Sequence, residues 1–330
     1  MKGGKIFISG AAGFIGFHLS SRLVDLGHQV LGVDNLSYRY LSEIQAGRLR
    51  ILTQKPGFEF RQLDLLDRVG LGKLCGEWKP DVAIHLAAAV GVRGSANRET
   101  EYREQNVEAT RNLLSSLSMF PPSRLLFTSS SSVYGGDAPR PFLESDVGMN
   151  SPSEYGRSKR QAEGLISQYG QQTGVPVTIV RPFTVYGPWG RPDMAFWTFA
   201  ELMKHGKPIP LHTTPTGQYL TRDFTYVGDV VEAIVRLVGT KQGGEEIVNI
   251  GSARPVTVSE FAQEMAGCLG LEWVCQDVAQ DREESPFTFA NNDRLAELTG
   301  YRPTTLLEAG IRQTVGWYKG MSESGRAIVA

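Results

Sequence analysis

The sequence predicts an α/β fold, a doubly wound parallel sheet with helices on both faces, followed by a smaller lobe. Three observations predict it. Apolar runs alternate with amphipathic stretches from residue 5 to residue 180, the first run ends in a glycine-rich turn that opens a helical pattern, and the second ends in an acid, Asp34. Neighbouring parallel strands need crossover connections, so regular β-α alternation points to a sheet buried between helices.

The elements follow in order. Lys5–Ser9 and residues 30–33, 58–61, 82–86, 125–128 and 177–180 are short runs rich in Val, Ile, Leu and Phe, the signature of buried strands. Residues 14–26, 99–117 and 158–172 carry apolar side chains at helical spacing. From residue 182 the texture changes to Pro and Gly punctuation through residue 215, which predicts irregular loops in a second lobe that carries substrate specificity. Residues 246–250 are apolar enough to return to the main sheet. The two units, 1–182 and 183–330, are therefore expected to interleave.

Composition narrows the function. With 34 basic and 35 acidic residues among 330, the net charge of −1 gives no general attraction to nucleic acid or to an anionic membrane. An anionic ligand must then be held by local groups. Three cysteines, Cys75, Cys268 and Cys275, suggest neither a disulfide framework nor a zinc site, and no metal is expected. The amino-terminal MKGGKIFISG enters a strand directly, and no apolar stretch is long enough to span a bilayer. The expectation is a cytoplasmic protein with no membrane partner.

The first strand leads into Gly10-Ala11-Ala12-Gly13-Phe14-Ile15-Gly16, and a helix starts at once. Glycines at such a turn let the backbone approach a pyrophosphate seated at the positive end of the helix. Asp34 stands about 20 residues on, where a dinucleotide fold of Rossmann type places the carboxylate that binds the adenosine ribose hydroxyls. A carboxylate there repels a 2′-phosphate, so NAD is the expected cofactor. Further along, Tyr155 and Lys159 are four residues apart at a helix start, and both project from one helix face. A neighbouring ammonium favours phenolate and poises a tyrosine as a base. Ser129, Ser130, Ser131 and Ser132 follow a central strand, at the edge where open α/β sheets bind ligands. Taken singly, the pair also suits a solvated helix face, and the serines a polar turn.

Together, GAAGFIG, Asp34, the serine segment ending Val133-Tyr134-Gly135 and the Tyr155/Lys159 pair resemble the extended short-chain dehydrogenase/reductase family over nearly the whole chain. More narrowly, RPFTVYGPWGRPDMAFW from residue 181, RDFTYVGDVVEAI from residue 222 and VNIGSARPV from residue 248 resemble UDP-glucuronate 4-epimerases. The resemblance implies that Tyr155 moves the proton of the substrate 4-hydroxyl, that Lys159 tunes Tyr155 and holds the nicotinamide ribose, and that Ser130 hydrogen-bonds the reacting oxygen. It implies cofactor contacts at Gly10, Gly13, Phe14, Ile15, Gly16, Asp34 and Asn35, at Asp64 and Leu65 near the adenine, and at Leu86, Ala87, Ala88, Asn106 and Pro182.

For the substrate, a UDP-sugar of the UDP-glucuronate/UDP-galacturonate pair, the resemblance implies Arg93 and Arg222, the latter on the pyrophosphate, with Ser131, Ser132, Thr184 and Arg191 on the uronate carboxylate. Glu284 falls in Asp281-Arg282-Glu283-Glu284, where relatives hold a ribose, and His212 takes the place of an aromatic neighbour of uracil. Related 4,6-dehydratases carry an Asp-Glu pair before Val-Tyr-Gly, and uronate decarboxylases a Glu. This chain has Ser131 and Ser132. Thr184 replaces the Asn usual in galactose-type epimerases. Another NDP-sugar 4-epimerase, a uronate decarboxylase and a non-catalytic NAD-binding sensor stay open as alternatives. The amphipathic stretches 99–117 and 158–172 resemble helices that pair in family homodimers.

Overall fold

The computed structural model describes residues 3–37, 42–92, 94–136, 138–146, 151, 153–241, 243–279 and 285–323. Arg93 and the 281–284 segment with Glu284 lie outside the described residues.

The first half runs β1 (Lys5–Ser9), α1 (Phe14–Asp25), β2 (Gln29–Asp34), α2 (Ser42–Thr53), β3 (Phe58–Gln62), α3 (Arg68–Trp78), β4 (Val82–His85), α4 (Glu99–Tyr102), α5 (Ala109–Met119), β5 (Arg124–Thr128), α6 (Glu154–Thr173) and β6 (Val177–Pro182). The chain continues through β7 (Thr184–Tyr186), α7 (Ala195–Lys204), β8 (Ile209–Thr213), β9 (Thr221–Arg222), β10 (Phe224–Tyr226), α8 (Val227–Val238), β11 (Glu245–Ile250), β12 (Val256–Thr257), α9 (Val258–Leu269), β13 (Cys275–Ala279), α10 (Asp293–Thr299) and α11 (Leu307–Glu323). Among the described residues no helix is long and apolar enough to cross a membrane.

Seven parallel strands form the central sheet in the order β3-β2-β1-β4-β5-β6-β11. The order reverses between β1 and β4, and a crevice opens there beyond the carboxyl ends of the strands. One face of the sheet packs on α1 and α8 through Leu19, Leu23, Val230, Ile234 and Leu237. The other packs on α3, α5 and α6 through Leu71, Leu113, Leu117, Ala162 and Ile166. β11, far along the chain, pairs with β6 from Glu245↔Val177 to Ile250↔Pro182.

Two stretches differ from the sequence reading. Residues 182–215 are not simply loops, for α7 sits among them with Phe196, Trp197, Phe199, Ala200 and Met203 buried. These side chains join Ile209, Phe224, Phe261, Met265 and Ile311 in a third apolar cluster. The expected single helix over 99–117 is interrupted by a π-turn, Arg103–Glu108. Such an insertion rotates side chains out of the regular helical register, and Asn106 is one of those rotated.

Candidate active site

A cavity of about 310 Å³ lies at the crevice. Its first wall is the turn after β1. Gly10 has φ 75°, and a Cβ there would come within 2.7 Å of the Ala87 nitrogen. A Cβ on Gly16 would lie 2.0 Å from the Gly10 carbonyl oxygen, so only glycine lets α1 start this close to β1. α1 begins at Gly13 with no side-chain cap and no acid in its first turn, and its positive end is open to an anion.

Next along the wall, Asp34 Oδ2 accepts from the Ala12 N–H (3.1 Å) and Oδ1 from the Leu36 N–H (2.9 Å). Burial raises its pKa against the pull of these donors and of Arg48. Asn35 donates to Asp64 Oδ2 at 2.9 Å, tying the ends of β2 and β3 together. Asp64, Leu65, Leu86, Ala87 and Ala88 complete this side. Gln45 of α2, which no sequence motif marks, also lines the cavity; it is buried, and its Oε1 has no hydrogen-bond partner within the protein. A glycine cradle that side chains would fill, an uncapped helix start, a ribose-type acid and an orphaned amide oxygen together fit an adenine dinucleotide.

Ser130, Tyr155, Lys159 and Pro182 stand on the opposite wall. Ser130 stands two residues beyond β5, its hydroxyl donating to Ser132 Oγ and accepting from the Ser132 N–H, both at 3.2 Å. α6 starts beside this run because Ser153 caps it, accepting from the Gly156 N–H at 3.0 Å. A Cβ on Gly156 would meet Ser151 Oγ at 2.0 Å and the Ser132 carbonyl at 2.5 Å, so that glycine sets how near Tyr155 comes to the serines. Lys159 is buried with Nζ 4.4 Å from the centre of the Phe127 ring. Burial pulls its pKa down to about 7, opposed by Glu163.

Asn106 does not reach the cavity surface. From behind the wall, it accepts from the Ala89 N–H (2.7 Å) and donates to the Ala89 carbonyl (3.0 Å) and Ser158 Oγ (2.8 Å). Ser158 in turn donates to the Tyr155 carbonyl at 2.8 Å. A second buried chain supports it. Thr110 donates to the Asn106 carbonyl (2.6 Å), which leaves its oxygen to accept from His85 Nε2 (2.9 Å). His85 Nδ1 then accepts from Ser9 (2.7 Å). Burial, with Lys159 nearby, lowers the His85 pKa to about 3, in keeping with this neutral tautomer.

Thr184 and Arg191, which follow β6 in the chain, line the same cavity. Arg191 is gripped by Asp193, Nε to Oδ1 at 2.9 Å and Nη2 to Oδ2 at 2.6 Å. Ser131 and Ser132 form a short 3-10 turn beside Ser130 without lining the cavity itself. Arg222 and His212 lie outside the lining too: Arg222 Nη1 donates to the Thr221 carbonyl at 2.9 Å, and His212 Nδ1 lies 3.2 Å from the Ala279 carbonyl oxygen.

Residues 6–251 match the family described as the NAD dependent epimerase/dehydratase family. The chain is 34% identical over 332 residues to the probable UDP-glucuronate 4-epimerase of Rhizobium meliloti (strain 1021), covering 95% of this chain and 96% of the relative. It is 32% identical to the UDP-glucuronate 4-epimerase of Thermodesulfobacterium geofontis (strain OPF15), covering 96% of each. The crystal structure of the Bacillus cereus UDP-glucuronic acid 4-epimerase, in complex with UDP-glucuronic acid and NAD, superposes with a TM-score of 0.89 at 30% identity, covering 96% of this chain and 99% of that one.

Proposed function

The chain belongs to the NAD dependent epimerase/dehydratase family, and from that premise we propose that it epimerises UDP-glucuronate to UDP-galacturonate at carbon 4 through a transient 4-ketone. One observation carries the reading: Ser130, Tyr155 and Lys159 share a cavity with the glycine turn and Asp34 on one side and with Thr184 and Arg191 on the other. A redox pair without a sugar-carboxylate site would not need the last two.

The Gly10–Gly16 turn, Asp34, Asn35, Asp64, Leu65, Leu86, Ala87, Ala88, Lys159 and Pro182 would hold NAD, which when bound would supply the reversible hydride acceptor. Tyr155 takes the proton of the 4-hydroxyl and returns it after the ketone has turned over. Ser130 turns its one hydroxyl proton from Ser132 Oγ to the reacting oxygen, while the Ser132 N–H keeps hold of the Ser130 oxygen. Asn106 acts through Ala89 and Ser158 to hold the backbone on which Tyr155 stands.

Oxidation at carbon 4 makes a β-keto acid, which loses carbon dioxide when the breaking bond stands perpendicular to the carbonyl plane. Thr184 and Arg191, with Ser131 and Ser132, hold the carboxylate away from that orientation and keep it anionic. Arg222, with Arg93 and Glu284, serves the nucleotide end. The two-lobe division near residue 182, a homodimer built on the outer faces of α5 and α6, and a cytoplasmic setting belong to the same reading.

Incubation with UDP-glucuronate followed by proton NMR tests it. UDP-galacturonate with an intact carboxylate is expected. Dominant UDP-4-keto-pentose or UDP-xylose overturns the epimerase assignment, and turnover of UDP-glucose alone moves it to a neutral sugar.

A further inference from the structure

Arg191 reaches the cavity from a segment, residues 187–191, that has little regular structure of its own. Trp189 in that segment has φ 59°, a left-handed backbone that costs a bulky residue about 1–2 kcal/mol and must be held from outside. What holds it comes from the cofactor half. Arg48 of α2 is fully buried, and its guanidinium donates from Nη1 to the Ala12 carbonyl (2.8 Å) and from Nη2 to the Trp189 carbonyl (2.6 Å). Nη2 also lies 3.5 Å from the Gly190 carbonyl oxygen. Ala12 belongs to the glycine turn, and its N–H is bound by Asp34 at 3.1 Å.

The neighbours of Trp189 reinforce this. His18 Nε2 donates to the Pro188 carbonyl at 2.8 Å, and the Trp189 ring sits 5.6 Å, centre to centre, from those of Phe17 and Trp317. On α2, a Cβ at Gly47 would come within 2.9 Å of the Trp189 ring.

We infer that Arg48 is a positioning residue that joins the two halves of the site, setting Arg191 at the sugar by clamping the 187–191 backbone to the turn that receives the cofactor pyrophosphate. A planar fork of five donors can serve carbonyls from two segments at once, which a lysine ammonium on a flexible stem cannot do with the same geometry. A buried guanidinium is costly to maintain. Here it links the two segments on which the proposed chemistry depends.

The inference rests on Arg191 meeting the uronate carboxylate, and a mutant cycle on the NAD-loaded enzyme separates the two ideas. Arg48→Lys, Arg191→Ala and the double variant are assayed with UDP-glucuronate for KM, kcat and retained NAD. Arg48→Lys is expected to raise KM about tenfold with kcat within about threefold, as for lost binding that is uniform between ground and transition states. In the Arg191→Ala background the same change should move KM by less than about twofold, because residues acting as one unit are not additive. A general loss of stability would not confine non-additivity to KM. Effects that multiply, or an Arg48→Lys enzyme with the parent KM, overturn the role of Arg48. An Arg191→Ala enzyme with the parent KM removes the carboxylate reading and the inference with it. Should Arg48→Lys fail to fold, Gly47→Ala displaces Trp189 while leaving the guanidinium in place, and the same non-additivity is expected; a multiplying effect again refutes the clamp.

Discussion

Lys159 is buried against Phe127 at a point where an ammonium is hard to keep, and its pKa falls to about 7. Above pH 10.5, its ordinary value, the folded and unfolded chains both carry it neutral and it costs nothing. Between 10.5 and about 7 the unfolded chain is protonated and the folded one is not; stability is lost as the pH falls, and the penalty is complete below about 7. Lys159→Met is therefore expected to raise the melting temperature of the cofactor-stripped protein at pH 7 while abolishing turnover, with a gain that fades towards pH 10, measured by thermal melts across that range. Tyr155→Phe should fold, retain NAD and lose about 10²- to 10⁴-fold in kcat; steady-state kinetics with near-parent turnover would move the base elsewhere. Asp34→Asn keeps one oxygen for Ala12 or Leu36 but loses the charge, and NAD affinity should fall by about 1.5–3 kcal/mol, measured by titration. Tyr155, Lys159 and Asp34 were legible in the sequence because each stands at a fixed distance from a strand or turn whose chemistry needs it. Gln45 and Arg48 were not, since nothing local says that a polar residue on a helix faces inward.

The same contrast holds for elements. β1, the glycine turn and α1 could be read because strand, turn and helix follow one another without interruption. α2 carries no legible signature because its buried stripe includes Gln45, Gly47 and Arg48 as well as Ile44 and Leu52, so apolar periodicity fails there. α7 was hidden by the prolines and glycines around it, and the π-turn by the fact that Asn106 lies within an otherwise regular helical pattern. The seat of α1 gives a test: Gly16→Ala places a methyl group 2.0 Å from the Gly10 carbonyl oxygen. The helix must retreat, and overpacking of this kind costs about 1–3 kcal/mol. Loss of co-purifying NAD together with a lower melting temperature is expected, read by chromatography of the released nucleotide and by a thermal melt.

At the scale of the molecule, β6, α6 and β11 are locked by one buried network. Arg181 makes a bidentate pair with Glu163 (2.9 and 2.8 Å) and donates to Tyr134 Oη (3.0 Å), which donates to Asn249 Oδ1 at 2.6 Å. Glu163→Gln leaves the guanidinium buried without its counter-charge, for which about 3–5 kcal/mol of destabilisation is expected in urea. Because α8 packs on α1 and β11 closes the sheet, tryptophan fluorescence and far-ultraviolet circular dichroism should report a single coincident transition. The late return of β11 also has a consequence during synthesis. Every residue of β6 is buried, yet the strand that covers its outer edge is translated more than 60 residues later. Until Glu245–Ile250 leaves the ribosome, the nascent sheet presents an apolar row of unpaired amides and carbonyls, a template for any extended chain nearby. Slow codons or a stall between the two strands would prolong that window, and products cut short before residue 245 should be found with chaperones or in aggregates.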